Sequence, residues 1–299
     1  KVLVCDYTAA EGLADRFMRE HPGHPAGPLF KAAVLQYAAV DYEDYSREEE
    51  FMSLIGRCAS SARNLIDSGN GLWFRYYEAA ADGLEGAWKV SSGNFLRGVL
   101  NGRSGAGGMR RIVEADSTFY DAYLMLGSYR FWKNVALSKL PIIDLGKRRG
   151  INEVRLAIER GSLSGPLANT VLIEMLLAID PAEAVELGER LRASHPYCRL
   201  FLWQLGEGYK KLGRFGEAER VFTAIAESMA LDDFDDGSGR LRCWWKLAVL
   251  AHSRGDRDSC KVYCKKVVAY ENDPVVARRQ ERRLRAARRM IDEMGENGG

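Results

Sequence analysis

Histidine is scarce in this sequence, and the cysteines lack the spacing of a metal site. Histidine occurs four times in 299 residues, and the six cysteines, at positions 5, 58, 198, 243, 260 and 264, form no Cys-x2-Cys pair. Zinc sites require closely spaced Cys and His ligands, so no metal site is predicted. Cys260 and Cys264 recur at helical spacing among apolar residues, which favours buried thiols.

Long hydrophobic runs are absent as well. No stretch of about 18 apolar residues occurs, which is roughly the length that a membrane-spanning helix needs. Hydrophobic residues make up 46% of the chain and charged residues 28%, as in ordinary globular proteins. We therefore expect no membrane span.

Signals for nucleotide binding and catalysis are also missing. The glycine-rich stretch 102–108 has no Gly-Lys-Ser/Thr ending and follows no apolar strand, so it predicts no phosphate-binding loop. Close helix packing or a flexible turn explains the glycines. No carboxylate or nucleophile can be placed beside His195 or His252 from their spacing. The sequence predicts a protein that is not an enzyme, with no cofactor and no small-molecule substrate.

A marked excess of positive charge occurs near the C-terminus. The chain has a net charge of +2, whereas residues 275–294 hold seven arginines against three acidic residues, a local charge of +4. A helix of this kind could contact phosphates, which leaves nucleic-acid binding as one alternative. The acidic residues within it, and the lack of aromatic residues between the arginines, argue against that alternative.

The stretch 199–232 contains the unit from which the rest of the chain is built. It reads Leu202-x2-Leu205-Gly206-x2-Tyr209, then a turn with Gly213, then Ala218-x3-Phe222-x2-Ile225. Small residues stand where two helices must approach each other. The spacing resembles the tetratricopeptide repeat, a helical hairpin of about 34 residues.

The resemblance implies an all-α fold, a right-handed superhelix (α-α solenoid) of tetratricopeptide-like helical hairpins. Residues 165–274 give three clear repeats, residues 120–164 an interrupted repeat, and residues 1–119 degenerate helical repeats. The interruption is an apolar insertion at 133–147, which could cover the groove or serve as a docking element. We expect the Arg-rich helix and tail at 275–299 to cap the last repeat.

Segments outside the repeats extend the resemblance to a family of bacterial tetratricopeptide proteins. They include Asp-Tyr-Glu-Asp-Tyr at 41–45 and Lys-Arg-Arg-Gly-Ile at 147–151. Members of such families often carry export signals, so the resemblance suggests the periplasm or cell envelope. A cytoplasmic location is the alternative.

In tetratricopeptide arrays the first helix of each hairpin lines a concave groove, so the resemblance implies a scaffold that binds a protein or peptide segment. By helical spacing, the residues that would face this groove are Phe131, Trp132, Trp203, Glu207, Lys210, Lys211, Arg242, Trp245 and His252. Trp and Arg are enriched in binding hot spots, and the cations near Trp203 and Trp245 predict an acidic partner. Core packing of the aromatic residues, and self-assembly into a homo-oligomer, are the alternatives.

Overall fold

The protein is all-helical in the part that the structure describes. The computed structural model describes residues 1–67, 71–136, 144–232 and 235–296, and within these ranges the regular elements are α-helices and one 3-10 turn at Val2–Val4. The predicted all-α class is therefore confirmed. Residues 137–143, the centre of the predicted insertion, lie outside the described ranges, and the rest of 133–147 extends the two flanking helices.

Fifteen α-helices follow one another within the described ranges. They are α1 (Tyr7–Glu20), α2 (Ala26–Tyr42), α3 (Glu48–Leu65), α4 (Gly71–Ser91), α5 (Phe95–Ala115), α6 (Ala122–Ala136), α7 (Asp144–Arg160), α8 (Ala168–Ile179), α9 (Pro181–Ser194), α10 (Arg199–Lys211), α11 (Phe215–Ala230), α12 (Ser238–Ser253), α13 (Arg257–Val268), α14 (Pro274–Arg279) and α15 (Glu281–Glu296).

The chain divides into two compact units. Unit 1 comprises residues 1–40 and 45–179, and unit 2 comprises residues 41–44 and 180–299. The short segment 41–44 thus belongs to unit 2, although its sequence neighbours on both sides belong to unit 1. The boundary also separates α8 from α9, which the sequence places in one repeat. The predicted domain limits at residues 119, 164 and 274 stay predictions.

Unit 2 contains the hairpin that the repeat pattern predicts. Helices α10 and α11 are joined at Gly213, whose φ of 71° lies in the left-handed region that favours glycine. Gly206 faces Phe222 so closely that an added Cβ would stand 2.6 Å from its ring. Ala218 in α11 is also completely buried. Gly206 therefore lies where the two helices approach each other, as the repeat pattern predicts.

We expect Gly206→Ala to destabilise unit 2 by about 1–3 kcal/mol, because the new methyl group overpacks the contact with Phe222. Gly216→Ala is the matched control. It adds the same methyl group in α11, where the nearest atom is an arginine nitrogen 4.0 Å away. Its stability should stay the same or rise slightly. Urea denaturation measures both, and equal stability of the two variants would contradict the close crossing.

The C-terminal helices close unit 2. Leu284 and Ala287 of α15 are buried in one apolar cluster with residues of α12 and α13. The helix predicted from residue 275 onward is divided into α14 and α15, which meet at the buried Gln280. Cys260 and Cys264 of α13 lie in the same cluster, and burial raises the pKa of the Cys264 thiol to about 12. The predicted buried thiols are confirmed.

Glycines determine the packing of α4 on α5 in unit 1. A Cβ on Gly105 would stand 2.7 Å from the carbonyl oxygen of Ala79, and one on Gly98 would stand 2.7 Å from the carbonyl oxygen of Gly86. The glycine-rich stretch 102–108 lies inside α5. Of the two explanations from the sequence, close helix packing is therefore correct and a flexible turn is not.

Candidate functional site

A buried ion pair lies at the start of α10 in unit 2. The Arg199 side chain donates from Nε to Oδ2 of Asp41 over 2.8 Å, and the two residues are only 3% and 0% exposed. They are 158 positions apart in sequence. Asp41 also accepts a hydrogen bond of 2.8 Å from the Trp203 indole N–H. Both oxygens of one carboxylate are thus bound by groups of α10, which offsets much of the cost of burying its charge.

Arg242 of α12 completes the surroundings of this carboxylate. Its guanidinium lies 3.9 Å from the ring centroid of Trp203, within the range of a cation–π contact. It also donates to the backbone carbonyl of Asp41 over 3.5 Å. Two predicted site residues, Trp203 and Arg242, are therefore brought together, and the group that they hold is a segment of the same chain.

Tyr42 extends the network to the far side of Arg199. Its hydroxyl accepts a hydrogen bond of 2.6 Å from Arg199 Nη2 and donates one to Asp232. Asp232 in turn accepts from Arg199 over 2.8 Å. Burial raises the pKa of Tyr42 well above its usual range, and the hydrogen bond to Asp232 raises it further. The phenol therefore stays protonated and serves as a donor.

The next two residues of the segment bind the C-terminal helices. Arg283 Nη2 donates to the Glu43 carboxylate over 3.0 Å, and a second nitrogen of the same guanidinium binds its other oxygen. Asp44 pairs with Arg279 at 3.2 Å. Here we name residues 41–44 the acidic segment, and Arg199, Trp203, Arg242, Arg279 and Arg283 together the segment site.

Glu43 has an unusual backbone conformation. It follows the last residue of α2, and its φ is 56°, in the left-handed region where a side chain is disfavoured. Glycine is the common residue at this position after a helix. The bidentate contact with Arg283 is a local gain that a glycine would not provide.

We expect Glu43→Gly to be more stable than Glu43→Ala by about 1 kcal/mol, because glycine tolerates a left-handed φ and alanine does not. Both variants lose the contact with Arg283, so the difference between their free energies of unfolding reports the backbone preference at residue 43. Thermal and urea denaturation of the two proteins measure it. If Glu43→Ala were the more stable variant, residue 43 would not hold a left-handed conformation.

The lowered pKa of Glu43 predicts that the free energy of unfolding depends on pH. Burial alone would raise its pKa, but the contacts with Arg283 and the charge of Arg242 outweigh burial and hold the pKa below the ordinary 4.5. A lowered acid pKa stabilises the fold above the ordinary pKa, and the gain is lost as pH falls through the lowered value. The difference in unfolding free energy between wild type and Glu43→Gln should thus be constant above about pH 5 and shrink below about pH 4.

The other predicted site residues of unit 2 have diverse surroundings. Glu207 pairs with Lys246 and lies 3.8 Å from Lys210. Trp245 is half-buried beside the apolar cluster of α12, α13 and α15. Lys211 and His252 are exposed. Burial would raise the pKa of Glu207, but the neighbouring cations, Lys246 first, lower it overall.

Phe131 and Trp132 belong to unit 1, in α6. Phe131 is completely buried, and Trp132 is half-buried with its ring edge-on to Phe131 at 5.1 Å between centroids. On the same helix, Tyr129 and Lys133 line a cavity of about 350 Å³ together with α5 residues that include Arg103 and Arg110. The charged residues around this cavity are all cations.

Sequence reasoning missed several residues of the segment site. Arg199 opens a repeat and looks like a surface residue, yet it is buried. Arg279 and Arg283 belong to the Arg-rich stretch, in which no single arginine stands out. A charged segment at the C-terminal end of the apolar helix α2 was the available signal for residues 41–44. No pattern in the sequence connects that segment with α10.

The described residues show no arrangement that points to metal chemistry. Across residues 1–67, 71–136, 144–232 and 235–296, no group of three or more His, Cys, Asp or Glu side chains is placed to hold a metal ion. Burial raises the pKa of the Cys58 thiol to about 12 and also raises that of Cys243.

In the same ranges, no helix is both long and apolar enough to cross a membrane.

Comparisons with known proteins give a similarity in structure but none in sequence. No protein-family model matches this chain, and no curated protein matches it. Among solved structures it is similar to the C-terminal part of a TPR repeat-containing protein from Cytophaga hutchinsonii, at 12% sequence identity and a TM-score of 0.47. That match covers 92% of this chain and 94% of the other.

Proposed function

We propose that the protein is a non-catalytic scaffold that binds an acidic segment of a partner protein on unit 2. The observation that supports this proposal is the segment site, which already binds an acidic segment through four arginines and a tryptophan. A partner helix that lies in a groove is a common mode of peptide recognition. Arginine suits such a site because its planar guanidinium binds a carboxylate with two hydrogen bonds.

Exposed residues at the C-terminal ends of α10 and α12 would extend the binding surface along these helices from the segment site. Lys211 and His252 are exposed, and Lys210 lies on the same helix as Trp203. Cations at the edge of a binding surface raise the association rate of an acidic partner, and the effect weakens with salt. We therefore keep the predicted acidic partner as part of the proposal.

Site-specific photo-crosslinking in the native cell tests the proposal. A photoreactive residue replaces His252 on α12, and the matched control carries it at Val262 on α13, which is also exposed. We expect crosslinks to an acidic partner segment from position 252, reduced at high salt, and few from position 262. Equal crosslinking from both positions, or partner segments without acidic residues, would contradict the proposal. Crosslinks to a second copy of the chain would favour self-assembly.

A further inference from the structure

The segment site recognises four consecutive residues by separate contacts. The first carboxylate, of Asp41, binds Arg199 and Trp203, and the phenol of Tyr42 binds Arg199 from the other side. The carboxylates of the third and fourth residues bind Arg283 and Arg279. Each residue of the segment therefore contacts side chains of complementary chemistry, as a bound peptide does in its binding site.

From this correspondence we infer that the partner carries the pattern of the chain's own segment: a helix that ends in Asp-Tyr, then a left-handed residue, then a carboxylate. The partner competes with residues 41–44 for the segment site. The inference rests on the proposed function and specifies its partner. The acidic segment is then an internal occupant that a partner of the same chemistry replaces.

Burial of Arg199 and Trp203 explains why an acidic occupant is favoured. Arg199 is 3% exposed and pairs with two carboxylates, those of Asp41 and Asp232, and Trp203 donates its indole N–H to Asp41. Loss of Asp41 would therefore remove one of the two counter-charges of Arg199 and the acceptor of the Trp203 N–H. A neutral segment would offer these donors weaker acceptors than a carboxylate, so the site favours acidic partners.

The far end of the acidic segment is the place where exchange would begin. The side chains of Glu43 and Asp44 are about a third exposed, whereas that of Asp41 is completely buried. Glu43 also holds its left-handed φ of 56° against the preference of its side chain. A partner with Asn or Gly at this position would adopt the same conformation more easily.

The test uses a fluorescent, N-terminally acetylated peptide with the sequence of residues 36–46, titrated against the full chain. It is titrated in parallel against Glu43→Gln/Asp44→Asn, which weakens the outer half of the acidic segment, and against Asp41→Asn, which weakens the inner half. Because residues 41–44 are part of the same chain, they compete with the added peptide at an effective concentration of about a millimolar. We therefore expect the variants to bind the peptide at least about 10-fold more tightly than wild type does.

Two controls define specificity. A peptide with Asn-Phe-Gln-Asn at 41–44 should not bind, and adding Arg283→Glu to the outer-half variant should abolish binding of the acidic peptide. Circular dichroism and a thermal melt establish that each variant is folded. If Asp41→Asn does not fold, the test relies on Glu43→Gln/Asp44→Asn, which leaves the buried ion pair of Asp41 and Arg199 intact.

Two results would overturn the inference. If folded variants bind the peptide no better than wild type and all bind poorly, residues 41–44 are a fixed part of unit 2. If wild type and variants bind equally well, the peptide binds elsewhere without replacing the segment. In either case, crosslinks from position 252 to an acidic partner would still support the proposed scaffold, so the two proposals fail separately.

Discussion

Asp41→Ala is expected to lower the free energy of unfolding of unit 2 by about 3–5 kcal/mol. The substitution removes the fully buried carboxylate that pairs with Arg199, which is itself 3% exposed and keeps the partly exposed Asp232 as a second counter-charge. It also removes the acceptor of the Trp203 indole N–H. Urea denaturation followed by circular dichroism measures the loss, with Trp fluorescence as a second probe because Trp203 lies at the site.

Glu186→Ala is the matched control for this expectation. Its carboxylate pairs with Arg190 at 2.7 Å, but both side chains are more than 60% exposed. Exposed pairs of this kind contribute about 0–1 kcal/mol, so the control should be nearly neutral. Asp41→Asn should fall between the two, since its amide oxygen still accepts one hydrogen bond. If Asp41→Ala were as mild as Glu186→Ala, the ion pair would not be buried in solution.

The helical hairpins were predictable because their determinants are local. Gly206 and Phe222 meet where α10 crosses α11, and both lie within a single repeat. Helix packing requires small residues at such a crossing, so fixed spacing in the sequence carries the information. The same argument identified Gly213 as the turn. The glycine-rich stretch in α5 was ambiguous, since glycines serve both turns and close packing.

The candidate site was predictable only in part. Helical spacing placed Trp203 and Arg242 on first helices of neighbouring hairpins, and the two are in contact. The contact between Asp41 and Arg199 joins residues 158 positions apart, and neither periodicity nor a motif connects them. A buried arginine also looks like a surface residue, because polarity alone says nothing about which groups pair. Long-range pairing of charges is a tertiary property that single-sequence patterns do not contain.

Trp203→Ala and Trp245→Ala are expected to differ strongly, although the sequence treats the two tryptophans as an equivalent pair. Trp203 is 5% exposed, contacts Arg242 and donates to Asp41. Its removal should destabilise unit 2 by about 3–5 kcal/mol, as for other buried tryptophans. Trp245 is only half-buried, so Trp245→Ala should lose clearly less than that. Urea denaturation of both variants measures the difference.

Trp203→Phe separates the two roles of this side chain. It keeps most of the apolar contact and deletes the N–H that binds Asp41, which leaves a buried carboxylate oxygen without its donor. Such a loss typically has a cost of about 1–3 kcal/mol. We expect Trp203→Phe to be less stable than wild type and more stable than Trp203→Ala. If Trp203→Ala instead kept wild-type stability, Trp203 would be an open surface residue, and the acidic segment would not cover it in solution.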